Sequence, residues 1–514
     1  MNGILRMRAC IQTNYSKTSL PRWLSRIGDG MKKINLYLLT FVFTFASLSN
    51  NANAQVATAT VNLTSIEQTI DGFGASTAFD SQITQAQADV AFGNANNNQL
   101  GLTILRVRIA PSGSWNSEKM NAHMAKALGA TILATPWSPP ASMKTNNSTV
   151  GGELLTTSYA AYAAHLKAFC DTLGDVDVVS VQNEPNITVS YESCTWSATE
   201  LLNFCKNNAD SIGTPVIMPE TYNFDTSYSN PTLNDAVAAS HISYIGLHLY
   251  GAAMKDYTNA LNKGKKLWMT EYYLNSDAID TCLIIGKQIL DCMYNNMSAY
   301  VWWYLRMPGC NIINYDGSIL KKGYTLAQFS KFVRPGYHRV DATYQPQTGV
   351  YVVAFNDTQT VIVAVNQNTS SKSQTFTFQN GTVPTVAKYT TSSVKSISND
   401  GNIAVSDNSF TTTLDAQSIT TFVGKPSTSI AFSQLPSPAS STMMLFKSLP
   451  AGDISLALYT LNGQRCTEKK VFNQQYGPIN LQHELNDIVP GAYILQMNVG
   501  NKTYAAIKWR KFAQ

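Results

Sequence analysis

Between residues 68 and 335 the sequence repeats one unit eight times: a short, nearly continuous apolar run followed by a longer amphipathic stretch. The runs fall at 69–74, 103–109, 131–135, 176–181, 216–219, 242–248, 267–270 and 300–304. Segments such as VDVVSV and ISYIGLHLY are rich in strand-forming residues and nearly continuous in apolar character, as strands buried on both faces are. Residues 158–173 and 199–212 read as two of the intervening helices. Eight strand-then-helix units in this length predict a closed (β/α)8 barrel. The competing arrangement, a doubly wound open sheet, would carry a glycine-rich phosphate loop after its first strand, and none is found there.

Beyond Pro335 the pattern changes. Residues 336–424 are rich in Thr, Val and Ser, and GVYVVAFN, TVIVAVNQ, SQTFTFQN and ITTFVGK follow one another with turn signals between them. Such alternation predicts an antiparallel β-sandwich fused to the barrel's side. Residues 55–67 carry the same pattern and are expected to add a strand to it. Residues 425–441, with their Pro, Ser and Thr, read as a linker. Residues 442–514 form a last, small β-rich module.

The N-terminus points to export. Met31 opens a stretch with two lysines, an apolar run from Leu36 to Phe45, and Ala52-Asn53-Ala54 before Gln55. That order is a signal peptide with a small-x-small cleavage site, so 1–54 is read as upstream residues plus leader, with translation starting at Met31. The expected location is secreted or attached at the cell surface, after passage through the periplasm. Charged residues are 13% of the chain against 44% hydrophobic, a folded rather than disordered balance. The net charge of +5 is spread over scattered Lys and Arg, which argues against nucleic acid as a partner. Eight cysteines show no CxxC pair; one or two disulfides and isolated buried thiols both remain open. The six histidines show no HExxH or paired-ligand spacing, so neither a metal nor a cofactor is expected, and His248 reads as a cleft or core residue. A monomer is expected.

Barrel enzymes assemble their chemistry at the C-terminal ends of the strands. Glu184 ends the fourth run in SVQNEP, and Glu271 ends the seventh in WMTE. Opposed across the barrel mouth, two such carboxyls have the parts needed to break a glycosidic bond: one protonates the departing oxygen while the other faces the anomeric carbon. They stand 271 − 184 = 87 residues apart, so only the fold can pair them. Glu271 is expected to be the ionised nucleophile. Glu184 is expected to be the acid/base, raised by burial and by the charge of Glu271. Asn183 is placed to donate to a sugar 2-hydroxyl. Trp137, Tyr191 and Trp303 are candidate stacking platforms, and Tyr250 and Tyr273 candidate hydroxyl donors.

Taken in order, IDGFGAS (70–76), ATPWSPPASMKT (134–145), SVQNEP (180–185), YESCTW (191–196), KLWMTEYY (266–273), YVWWYLR (300–306), KKGY (321–324) and FVRPGYHRVDAT (332–343) resemble glycoside hydrolase family 30, most closely its glucuronoxylanase-type xylanases. The resemblance covers about 60–424. It implies a barrel with a fused side sandwich, the acid/base at Glu184, the nucleophile at Glu271, and internal cleavage of β-1,4-xylan. It also implies an arginine pair, followed closely by a tyrosine, that recognises a glucuronate branch after the eighth strand. Here those positions read Arg306, Met307 and Gly309, with Ser276 retained at another branch-binding position. Methionine makes no bidentate contact with a carboxylate. Weakened or absent dependence on glucuronate branches is therefore expected, with Arg306 as a candidate substitute cation, although an arginine beside a strand end is also often a structural ion-pair member. The ends of the last module, ISLALYTLNGQRC and PGAYILQMNVGNKTYAAIKWRK, resemble the C-terminal sorting domain of type IX secretion cargo, which would make the secretion machinery a partner. The competing functions are another family 30 activity, either β-1,6-glucanase or glucosylceramidase-like hydrolysis, and a surface protein that binds polysaccharide without cutting it.

Overall fold

The computed structural model describes residues 56–425 throughout and, beyond them, a set of strands between 443 and 511. The expected leader at 31–54 lies outside the described residues, as does the linker after Lys425. Strand β1 (Thr58–Thr69) comes first and belongs to the side sheet. The next eight strands are β2 (Gly72–Ser76), β3 (Ile104–Ile109), β4 (Thr131–Pro136), β5 (Val178–Ser180), β6 (Val216–Thr221), β7 (Tyr244–His248), β8 (Lys266–Glu271) and β9 (Met297–Tyr304), and they close into a parallel barrel. The first apolar run is thus divided: β1 stops at Thr69 and β2 starts at Gly72. Between them Asp71 accepts from the Lys266 ammonium and, at 2.9 Å, from Nε1 of Trp268, which anchors the chain where it leaves one sheet for the other.

Around the barrel run α1 (Gln85–Phe92), α2 (Asn116–Ala127), α3 (Tyr159–Leu173), α4 (Ala198–Asn207), the short α5 (Asn230–Asn234), α6 (Ala236–Ser240) and α7 (Thr258–Asn262), then α8 (Ile279–Tyr294) and α9 (Lys321–Ser330). α3 buries Tyr162, Leu166, Phe169 and Leu173, a stripe of helical spacing, and ends where Gly174 takes a φ of 76°. α4 begins in a reciprocal capping box between Ser197 and Glu200 and stops at Asn208. The helix expected over 199–212 is therefore α4 followed by a separate tight turn, Ala209–Ile212. Ile104, Leu133, Val178, Ile217, Trp268, Ala299 and Val301 form a buried cluster of their own, drawn from six barrel strands; the barrel is a packed core, not a pore.

The side domain is one nine-stranded sheet. Its strands are β10 (His338–Ala342), β11 (Val350–Asn356), β12 (Thr360–Asn366), β13 (Lys372–Gln379), β14 (Thr385–Thr391), β15 (Ser398–Ala404), β16 (Ser409–Leu414) and β17 (Ser418–Gly424), in the order β15-β14-β17-β12-β11-β10-β1-β13-β16. Phe376 of β13 meets Phe422 of β17 at 5.1 Å, although four strands separate them in the sheet, so the sheet curls over its own core. Pairing is antiparallel except between β1 and β13, which run parallel because the first strand enters between β10 and β13. The sheet packs on α8 and α9. A Cβ at Gly286 of α8 would lie 2.8 Å from Ile419 Cδ1, and Thr421 Oγ1 donates to the Gln328 carbonyl of α9 at 2.7 Å.

In the C-terminal module, β19 (Ile454–Thr460), β20 (Arg465–Val471), β22 (Gly491–Val499) and β23 (Lys502–Lys511) make a four-stranded antiparallel sheet, and β18 (Met443–Met444) pairs with β21 (Ile479–Asn480). The strands β19 and β20 carry ISLALYT and RCTEKKV, and β22 and β23 carry GAYILQMNV and KTYAAIKWRK, each pair antiparallel. Seven cysteines are described and all are free thiols, six of them buried.

Candidate active site

Barrel strands end in a cleft lined by ten side chains: Glu184, Glu271, Phe79, Trp137, Tyr191, Tyr222, Tyr250, Tyr273, Trp303 and Tyr304. Eight of the ten are aromatic, so the walls suit apolar faces edged with hydroxyls, as in a sugar ring. Tyr191 and Phe79 are 51% and 40% exposed, whereas Trp137 is 2% exposed. Phe79 meets Trp137 edge-on at 5.1 Å, and the Arg108 guanidinium lies 4.4 Å over its ring. Its φ of 61° is strained backbone for a bulky residue, a conformation that persists only where surroundings enforce it.

Glu184 follows β5 with a φ of 46°, and Glu220, near the end of β6, has a φ of 53°. The two are locked together, because the Glu184 N–H donates to the Glu220 carbonyl at 3.0 Å. Asn183 is fixed in the same way, its N–H bonded to the Pro136 carbonyl at 2.8 Å. Beneath them lies Arg106 of β3, fully buried. Its guanidinium donates to Glu271 Oε2 at 2.5 Å, to Asn183 Oδ1 at 2.7 Å and to Thr135 Oγ1 at 3.2 Å, and pairs with Glu220 Oε1 at 3.2 Å. With Oδ1 of Asn183 taken, its Nδ2–H groups are left for a ligand. Tyr250 donates its hydroxyl to Glu271 Oε1 at 3.0 Å, and Nδ1 of His248 bonds Glu184 Oε1 at 2.9 Å.

One ligand atom each of Glu184, His248 and Glu271 lies within 4.8 Å of the others, which brings the two carboxylates face to face. A divalent cation at that point would meet the guanidinium on Glu271 and the charge on His248, so the cluster is better matched to its own counter-ions than to a metal. Burial pushes His248 down, but Glu271, Glu184 and Glu220 outweigh it and carry it up to about 9. Burial also pushes Glu220 up, but Arg106 and His248 hold it down at about 2. Glu271 is raised, by burial first, against the pull of His248 and Arg106 and with a push from Glu184. The hydrogen bonds still separate the two carboxyls. Both oxygens of Glu271 already accept from fixed donors, whereas Oε2 of Glu184 accepts from no described residue.

The reading of Arg306 as a substrate-facing cation is corrected. Its side chain is 3% exposed and points away from the cleft, donating to Asp80 Oδ2 at 2.8 Å, Gln87 Oε1 at 2.6 Å and the Ser81 and Gln82 carbonyls. Arg306 ties the β2–α1 loop to the end of β9. Ser276 is exposed in the β8–α8 loop, where its hydroxyl accepts the Ala278 N–H, and it does not line the cleft. Arg106, Glu220, Phe79, Tyr222 and Tyr304 were not picked out from the sequence.

Behind the Phe79 loop, Glu118 of α2 accepts from Thr77 Oγ1 at 3.3 Å, and burial pushes it up to about 8. A carboxyl raised in the folded state favours folding below its ordinary value near 4.5 and loses that contribution as pH rises towards 8. Glu118→Gln is expected to flatten the fall in stability between those values. Urea midpoints of both forms at pH 5 and pH 8 check this; parallel falls refute it.

No family model matches the chain. A glucuronoxylanase of Bacillus subtilis (strain 168) is 39% identical over 417 residues, covering 76% of this chain and 98% of that one. Among solved structures, a glycoside hydrolase family 30 subfamily 8 xylanase from Clostridium acetobutylicum superposes with a TM-score of 0.69 at 42% identity, covering 71% of this chain and 99% of its own. A family 30 endoxylanase from Clostridium papyrosolvens C71 does so with a TM-score of 0.68 at 40% identity, over 72% and 100%. An endo-β1,6-glucanase, at 19% identity and a TM-score of 0.57, shares the fold. With this identity over nearly the whole length of the relative, and with the closed barrel and side sheet, the chain belongs to glycoside hydrolase family 30.

Proposed function

We propose that the chain is a secreted, retaining endo-β-1,4-xylanase in which Glu271 is the nucleophile and Glu184 the acid/base. The observation that carries this reading is the face-to-face pair, with one ligand atom of each carboxylate within 4.8 Å of the other. Retaining enzymes hold their carboxyls about 5–5.5 Å apart and inverting ones about 6.5–9.5 Å, since inversion needs room for water. Glu271, held by Arg106 and Tyr250, attacks the anomeric carbon while Glu184 passes the proton on Oε2 to the departing oxygen. Water, deprotonated by Glu184, then releases the glycosyl group from Glu271. Asn183 holds the 2-hydroxyl. The xylan assignment is supported by the relatives at 39–42% identity, which are xylanases by description. Export is supported by the leader-like stretch at 31–54, and delivery by a type IX pathway by the two hairpin motifs of the last module.

The enzyme is further read as largely independent of glucuronate branches, because Met307 replaces one arginine and Arg306 is engaged with the β2–α1 loop. Digests of glucuronoxylan and of arabinoxylan, resolved by mass spectrometry, test both claims. Short xylo-oligosaccharides from both polymers, with no fixed distance between cut and branch, are expected. Cutting only at a set offset from each glucuronate would overturn the branch reading. Absence of products from either polymer would overturn the xylanase.

A further inference from the structure

The proton that Glu184 delivers must sit on the oxygen that faces substrate, and the charge left behind must be received at once. The surroundings of His248 meet both needs. The imidazole is fully buried at the end of β7, with its Nδ1 bonded to Oε1 of Glu184 at 2.9 Å. Its other nitrogen, Nε2, makes no hydrogen bond and points towards Glu220 Oε1, 3.9 Å away, which is equally buried and also without a hydrogen bond. Glu220 Oε1 is already paired with the Arg106 guanidinium at 3.2 Å, so the buried imidazole faces a carboxylate through charge rather than through a hydrogen bond. The charged groups around the ring are Glu184 after β5, Glu220 of β6 and Glu271 of β8. Arg106 of β3 already serves Glu220 and Glu271, and the Tyr250 ring meets the imidazole edge-on at 6.0 Å.

We propose that His248, held as an imidazolium by Glu220, is a positioning residue for proton transfer: it occupies Oε1 of Glu184, confines the transferable proton to Oε2, and receives the charge that forms when that proton leaves. The inference rests on the reading of Glu184 as acid/base. Charge balance supports it. Arg106 and His248 supply two positive charges against the three carboxylates Glu184, Glu220 and Glu271, so one proton makes the buried cluster neutral. Glu271 has no free oxygen for that proton, and Oε1 of Glu184 is taken. In the first step the proton moves from Oε2 to the glycosidic oxygen as the C–O bond breaks and the Glu271–C1 bond forms. The new Glu184 carboxylate then lies against the His248 Nδ1–H. In the second step water gives its proton back to Oε2 as its oxygen displaces Glu271. His248 keeps its own proton throughout.

His248→Asn separates charge from hydrogen bonding, since the amide Nδ2–H can occupy the place of Nδ1–H without the positive charge. Two substrates are needed: xylan, whose leaving sugar requires a proton, and 2,4-dinitrophenyl β-xylobioside, whose leaving group does not. On xylan, kcat is expected to fall on the order of 10²-fold. The alkaline limb of kcat/KM should move up by about 1–3 pH units, because an acid loses its proton later when no cation adjoins it. The dinitrophenolate burst should stay within about threefold of the parent. An unmoved limb, or equal losses on the two substrates, would overturn the proposal. If the variant does not fold, ¹⁵N spectra of histidine-labelled parent enzyme decide instead: His248 carrying one proton at pH 6 refutes the proposal, and both nitrogens protonated at pH 7 supports it. Glu184→Ala tests the underlying reading separately. If that variant loses xylan and dinitrophenyl bond cleavage alike, Glu184 is not the acid, whatever His248 does.

Discussion

Glu271→Ala is expected to lower kcat on xylan by on the order of 10⁵-fold, with the fold intact, because no other group within reach can form the glycosyl intermediate. The loss alone does not show the role, since removing the acid/base also silences the enzyme on a natural substrate. Azide separates the two. In Glu271→Ala the cavity left by the side chain admits azide on the α face, and one displacement on dinitrophenyl β-xylobioside gives an α-glycosyl azide. In Glu184→Ala the intermediate on Glu271 still forms, and azide entering from the β face gives the β-glycosyl azide. Both products are read by NMR of the anomeric proton. The opposite assignment of the two anomers would exchange the roles of Glu184 and Glu271. An α-glycosyl product from the unaltered enzyme would refute retention and require the carboxylates to be wider apart in solution than the 4.8 Å within which their facing oxygens lie.

The second large effect is expected at Arg106. It serves Glu271, Asn183 and Glu220 at once, with Trp137 and Trp303 rings 4.7 and 5.7 Å from the guanidinium carbon. Removing one partner of a buried ion pair leaves a charge that water cannot reach, a loss of about 3–5 kcal/mol. Arg106→Met is therefore expected to lower stability by that amount and kcat by a further factor of roughly 10²–10³, since Glu271, in the proposed role of nucleophile, loses a preorganised donor. Adding Glu220→Gln should recover part of the stability and none of the rate, because the neutral amide no longer needs a counter-ion while Glu271 still lacks its donor. Chemical denaturation of the single and double variants measures the first, and steady-state rates on xylan the second. A double variant no more stable than Arg106→Met would mean that Glu220 is not the charge left stranded.

How far the sequence showed this site depended on where each residue sits in its element. Barrel strands are buried on both faces, so their apolar runs were legible from 103–109 to 300–304. Glu184 and Glu271 stood out because each breaks such a run at its C-terminal end. Arg106 and Glu220 lie inside their strands. The signal was present, since a charge within ILRVRI or VIMPET has no solvent to face, yet one strand alone cannot reveal that the two charges meet across the barrel. Arg306 was open to two readings for the opposite reason: a cation just past a strand end can turn into a loop as readily as towards the cleft, and here Asp80 and Gln87 hold it. Phe79 and Tyr222 sit on loops whose course no periodicity encodes. The parallel entry of β1 beside β13 was beyond local pattern too, because alternation shows that a segment is a strand and says nothing of its partner.

That first strand also has a consequence in time. β1 is made first, but its parallel partner β13 ends at Gln379, 379 − 69 = 310 residues after Thr69. At about 5–20 residues per second, the earliest part of the chain spends roughly 15–60 s without the neighbour that covers it. Its alternating residues TATVNLTS present an unpaired edge for all of that interval. In the barrel only β2 waits in this way, since its outer edge closes on β9, whereas β3 to β9 each pair with the strand made just before them. The side sheet is thus a clasp whose first half is synthesised first and fastened only after the barrel's strands have been made.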